Sequence, residues 1–149
     1  MPRDSLRKGR VSLRNQAYHI TTCTSERAPL FAELTCARLL VAEMRHLQQR
    51  QLIDYLAWVV MPDHVHWLFQ LDGPLALSQV IKTFKGRSAR RIAHHLGRQT
   101  AIWQRGFHDH AIRNDEDLQA VARYIVANPL RAGLVPRIGD YPHWDAAWL

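Results

Sequence analysis

At 149 residues, with 47% hydrophobic and 22% charged side chains, the chain has the size and composition of one globular domain with a buried core, and not of a disordered tail. Twenty Lys and Arg against 13 Asp and Glu leave a formal charge of +7, which points to a polyanionic partner, nucleic acid before an anionic membrane. The longest apolar run, Leu56 to Met61, is far shorter than the roughly 18 residues of a membrane span, no signal peptide is evident, and Cys23 and Cys36 form neither a disulfide framework nor a CxxC motif. The expectation is a soluble, cytoplasmic protein, near the nucleoid if its partner is DNA, with reduced thiols and no membrane contact.

Residues 1–14 hold Arg3, Arg7, Lys8, Arg10 and Arg14 among few large apolar groups and read as a basic arm; residues 15–149 form one domain. Ala17 to Thr24 is rich in β-branched residues and predicts the first strand. Pro29 opens a helix carrying Leu30, Phe31, Leu34, Ala37, Val41, Met44 and Leu47 on one stripe, to about Gln51. Tyr55 to Met61 is a near-continuous apolar strand, Pro62-Asp63 a short turn, and His64 to Leu71 a returning strand, together a hairpin.

Ser78 to Leu96 predicts a second helix, with Val80, Ile81, Phe84 and Ile92 apolar and Lys82, Lys85, Arg87, Arg90 and Arg91 charged, and with Gly86 as a weak point. Phe107 to Arg113 reads as a short strand. Asn114 is the expected N-cap of a last helix that starts in the acidic run Asp115 to Asp117, continues through Leu118, Val121, Ala122 and Ile125, and ends at Pro129. From about residue 130, Gly and Pro predict an irregular tail docked through Tyr141, Trp144 and Trp148. The order strand, helix, strand, strand, helix, strand, helix predicts an α+β fold, a mostly antiparallel sheet with helices packed on it.

Strand alternation puts His64 and His66 on one face, with Val65, Trp67, Phe69 and Leu71 packed behind them, and two imidazoles so placed can hold a divalent cation. His108 and His110 form a second HxH around Asp109, and spacing alone does not choose between the pairs. Tyr124 and Asn128, four residues apart on the predicted last helix, lie on one face of it.

Taken jointly and in order, YHITT at 18–22, MPDHVHWL at 61–68, SQVIKTFKGRSARRI at 78–92, WQRGFHDHAIR at 103–113, YIVANPLRAGLV at 124–135 and DYPHWD at 140–145 resemble the HUH single-tyrosine transposases, most closely the REP-associated tyrosine transposase branch. The resemblance implies a ferredoxin-like HUH fold, a single-stranded DNA endonuclease and strand transferase acting on palindromic hairpins, and Mg²⁺ or Mn²⁺ held by His64 and His66. It implies Tyr124 as a nucleophile leaving a 5′-phosphotyrosine link and a free 3′-OH. Asn128, one methylene shorter than the Gln of many relatives, completes the metal site; Asp63 stands where many members carry Asn and receives no ligand role. The arm, Lys82, Lys85, Arg87, Arg90 and Arg91 would grip DNA, and a monomer is expected before a dimer. Neutral imidazoles are needed to bind metal, so activity should fall below about pH 6. A hairpin-binding protein that has lost turnover is the alternative.

Overall fold

The computed structural model describes residues 16–113 and 116–148. The expected basic arm, Asn114 and Asp115 lie outside them. The elements are β1 (Ala17–Cys23), α1 (Leu34–Gln49), β2 (Ile53–Met61), β3 (His64–Leu71), α2 (Leu77–Leu96), β4 (His108–Ala111), α3 (Leu118–Val126), α4 (Asn128–Arg131) and β5 (Trp144–Ala146). They build one antiparallel sheet in the order β4-β1-β3-β2-β5. The first four strands and α1 and α2 make the expected ferredoxin-like βαββαβ unit.

Strand alternation sorts the core into two layers. Tyr18, Ile20, Trp58, Val60, Val65, Trp67 and Phe69 face α1 and α2, meeting Leu40, Met44, Val80, Ile81 and Phe84. Ala57, Val59, Met61 and Leu68 face the other way, against Ala122, Ile125 and Val126 of α3. The central strands are apolar on both faces because both are covered. A register shift between Tyr55 and Ala57 keeps Ile53 and Tyr55 in the same layer as Trp58 and Val60.

Several boundaries differ from the sequence reading for local reasons. The helix after Pro29 begins as a 3₁₀ turn at Leu30–Ala32, and α1 starts only at Leu34, capped by Glu33 accepting from the Thr35 N–H at 2.7 Å. Gly86 does not break α2, whose end is set by Gly97 in the left-handed region at φ 69°. Asp117, not Asn114, is the N-cap of the last helix, accepting from the Gln119 N–H at 2.9 Å. The stretch expected to be an irregular tail instead supplies α4, a 3₁₀ turn and β5, whose three residues are too few for a sequence period to reveal. It is tied down where Tyr141 Oη donates to the Val60 carbonyl at 2.5 Å and Tyr55 Oη to Asp145 at 2.9 Å.

Tyr124 and Asn128 do not share one helix. A continuous helix would need an N–H at residue 129 to reach the Ile125 carbonyl; Pro129 has none and its ring crowds that carbonyl, so α3 ends at Val126. Asn128 Nδ2 donates to the Ile125 oxygen instead, at 3.0 Å, and α4 starts with Pro129 in its first turn.

α1 and α2 are joined by a buried carboxylate. Glu43 is 1% exposed and accepts from Arg87 Nε at 2.8 Å and Arg91 Nη1 at 3.0 Å. Burial pushes its pKa up, but the two guanidiniums outweigh burial and hold it below the ordinary carboxylate value. Glu43→Ala strands both cations and opens a cavity. Because the arginines are partly solvated, the expected loss is about 2 kcal/mol, below the 3–5 of a fully buried pair. Urea unfolding checks it, and a change under about 0.5 kcal/mol, the size of an ordinary surface substitution, contradicts the role.

Candidate active site

The Pro62-Asp63 turn starts β3 at His64, and the register brings β1 alongside with Cys23 opposite His64, Thr21 opposite His66 and His19 opposite Leu68. Paired residues share a sheet face, so His64, His66, His19 and Thr21 form one polar patch on the side covered by α3. The two β3 rings meet edge to face with centroids 5.0 Å apart.

Each imidazole is oriented through Nδ1. His64 Nδ1 lies 2.7 Å from Asp63 Oδ1, and because a carboxylate only accepts, that nitrogen carries the proton and Nε2 keeps the lone pair. Asp63 is itself held by Arg27 Nε at 2.9 Å; burial raises its pKa, but Arg27 and His64 bring it below the ordinary value. His66 Nδ1 lies 3.0 Å from His19 Nε2 and 3.1 Å from Thr21 Oγ1. Burial, with the His110 charge adding to it, lowers the His19 pKa; His19 and Thr21 take up the Nδ1 edge of His66, and Nε2 is the ring nitrogen outside those contacts. Burial first, then His19, His64 and Arg131, pushes His66 down to about 3. In the metal-free fold the His66 ring therefore stays neutral through pH 6, the state in which an imidazole binds metal.

Tyr124 stands in the last turn of α3, 56% exposed, with the Arg131 guanidinium 3.9 Å above its ring. Arg131 Nη2 also donates to the Tyr124 carbonyl at 2.6 Å, and its charge is felt at His66. One cation thus links the tyrosine to the histidine pair across the α3 break. Among the described residues the polar contact of Asn128 is with the Ile125 carbonyl of α3 and not with either histidine, leaving Oδ1 as its atom for a cation. Two imidazoles and an amide oxygen are a donor set that suits a divalent ion keeping positions for phosphate oxygen and water.

The second HxH lies on the same face: His110 pairs opposite His19 and His108 opposite Thr21. These two are exposed on the edge strand, and His110 Nε2 sits 3.0 Å from both oxygens of Glu116. The patch is therefore a row of histidines across three strands, in which burial distinguishes the β3 pair.

The basic residues of α2 are divided. Arg87 and Arg91 hold Glu43, and Lys85 Nζ donates to the carbonyls of Gln104 and Gly106, its pKa lowered by burial. Lys82 and Arg90 are exposed. All five are on the helix layer opposite the histidines. Trp67 is buried between Phe69 and Phe84, and Trp103 is anchored by its Nε1 donating to Ser88 Oγ at 3.0 Å, so neither indole is an open stacking platform.

Sequence reasoning missed His19, Thr21, Arg27 and Arg131 and gave Asp63 no role. A signal existed for Arg131, seven residues from Tyr124 and so two helical turns away, but none for the β1 residues, whose partners only the sheet register selects.

The ferredoxin-like sheet thus carries its histidine pair on the face packed by the helix that bears Tyr124. Residues 12–128 match the family model Transposase IS200 like, and the chain belongs to that family. It is 36% identical over 96 residues to the REP-associated tyrosine transposase of Escherichia coli (strain K12), covering 61% of this chain and 55% of that protein. It is 30% identical over 87 residues to the ISDra2 transposase TnpA of Deinococcus radiodurans, covering 58% of this chain and 61% of that one. The chain thus spans only a little over half the length of these relatives. Among solved structures it resembles a REP-associated tyrosine transposase bound to a REP hairpin, with a TM-score of 0.72 and 27% identity over 89% of this chain and 77% of that one. No helix among the described residues is long and apolar enough to cross a membrane.

Proposed function

We propose that this chain is a metal-dependent single-stranded DNA endonuclease and strand transferase that acts at palindromic hairpins through a 5′-phosphotyrosine intermediate. The observation that carries the reading is the exposed Tyr124, stacked under Arg131, together with a histidine pair whose Nδ1 atoms are engaged by Asp63, Thr21 and His19. The family and the structural relative bound to a REP hairpin support DNA of that kind as the substrate.

His64 and His66, with Asn128 Oδ1, would hold Mg²⁺ or Mn²⁺. When bound, such an ion polarises the phosphodiester and stabilises charge on the leaving oxygen. Tyr124 Oη attacks phosphorus, the bond to the 3′ oxygen breaks, and that oxygen takes a proton while the phenol releases its own to solvent. A later 3′-OH reverses the exchange and restores the phenol. Arg131 keeps the ring in place and carries a positive charge to where a phosphate would lie. Lys82 and Arg90 grip the backbone at a distance from the cut, the basic residues of the arm add affinity for it, and the reading is of a monomer in the cytoplasm near the nucleoid.

The test is denaturing electrophoresis of a labelled hairpin oligonucleotide incubated with protein and Mn²⁺. The expected result is a denaturation-resistant adduct on the single-stranded hairpin and none on the matched duplex, since a flexible strand is bent into in-line geometry more cheaply. Equal cleavage of both forms contradicts the substrate preference. Tight hairpin binding with no adduct identifies instead a binding protein without turnover.

A further inference from the structure

On the far side of the sheet from the histidine pair, three chemically different donors converge between α1 and α2. Glu33 is the N-cap of α1, Cys36 lies in its first turn, and His95 is in the last turn of α2. Glu33 Oε2 is 2.8 Å from His95 Nε2 and 3.1 Å from Cys36 Sγ, and the three donor atoms all lie within 4.8 Å of one another. Among the described residues this is the one group of three or more His, Cys, Asp and Glu gathered so closely.

We propose that Glu33, Cys36 and His95 form a zinc site that clips the start of α1 to the end of α2, separate from the strand histidines. Thiolate, imidazole and carboxylate together are a zinc donor set, and three protein ligands leave the fourth tetrahedral position to water. The carboxylate is aimed beforehand: Oε1 is occupied by the Thr35 N–H at 2.7 Å, so Oε2 alone faces the cluster. Glu33 and His95 are partly exposed and give an ion a way in, while Cys36 is buried and shields the bond to sulfur.

Tetrahedral bonds of about 2.0–2.3 Å set ligand atoms roughly 3.3–3.8 Å apart, so the two short contacts must open by several tenths of an ångström. Side chains solvated at the Glu33 and His95 level can make that adjustment. Without metal, burial and the neighbouring Glu33 push the Cys36 thiol up to about 12, so the proton stays on sulfur and is donated to the carboxylate. Binding replaces that proton with the ion and releases it to solvent.

The proposal does not rest on the DNA chemistry, and its test bypasses it. Full-length protein carrying Cys23→Ser, which removes the other thiol, and His64→Ala, which removes one imidazole of the strand-face pair, is stripped with chelator and titrated with Co²⁺ and then Zn²⁺. One equivalent of Co²⁺ is expected to give a thiolate-to-metal charge-transfer band that Zn²⁺ displaces, and adding Cys36→Ser is expected to abolish it. Because a core serine can harm folding, exposed His95→Ala in the same background is the second arm, with zinc affinity expected to fall by about 100-fold or more. Absence of the band in the Cys36-containing protein, its persistence after Cys36→Ser, or unchanged affinity after His95→Ala overturns the site.

Discussion

On the proposed mechanism, Tyr124→Phe is expected to abolish the denaturation-resistant adduct, lowering its rate of formation by at least about 10⁴-fold, because the substitution removes the atom proposed to bond to phosphorus. Hairpin binding and stability change little, since the side chain is 56% exposed and its hydroxyl takes no hydrogen bond among the described residues. The other tyrosines are the controls. Tyr18 is buried at 3% exposure, Tyr55 Oη is given to Asp145, and Tyr141 Oη to the Val60 carbonyl. Burial also pushes Tyr141 up to about 12, away from phenolate. Gel-resolved adduct formation for the four Tyr→Phe variants decides the matter: loss in Tyr18→Phe or Tyr141→Phe with activity retained in Tyr124→Phe moves the nucleophile elsewhere.

On the same proposal, removal of the divalent ion, His64→Ala and His66→Ala are each expected to bring cleavage to background, whereas His108→Ala on the exposed edge is expected to leave most of it. Full activity in excess chelator, or a larger effect at His108 than at either β3 histidine, sinks the assignment. Asp63→Ala lowers Mn²⁺ affinity by about 10–100-fold without removing a ligand, through loss of the bond that orients His64. A second readout is independent of turnover. In the metal-free fold His66 takes a proton only near pH 3, while in the unfolded chain it does so near 6.5. The unfolded state therefore binds more protons between those values, so this contribution to stability is complete above about pH 6.5 and declines as pH falls toward 3, by at most about 1.4 kcal/mol per pH unit. His66→Gln is expected to flatten that slope in urea unfolding series, and an unchanged slope contradicts the buried neutral ring.

The succession of elements was legible because each rests on a local rule: a near-continuous apolar run in Tyr55 to Met61, alternation in His64 to Leu71, a helical stripe in α1 and α2, and a Pro62-Asp63 turn between strands. The shared face of His64 and His66 follows from the same alternation, and Tyr124 and the family from ordered motifs. What failed locally failed for stated reasons. The break at Ala127 hinges on Pro129 removing one donor, and β5 is too short to show a period.

Alternation assigns two histidines to one face but cannot say which strand lies beside them, and that choice is set by packing both sheet faces. The register placing His19 and Thr21 against His66, and the turn placing Asp63 and Arg27 against His64, exist only once β1 has paired with β3. Formal charge likewise showed five cations on α2 without showing that Glu43 and two loop carbonyls had claimed three of them. Residue types and their order determined the architecture and the candidate chemistry; burial and register, which depend on contacts far apart in sequence, decided which histidines stay neutral, which tyrosine is open and which cations are free to meet a phosphate.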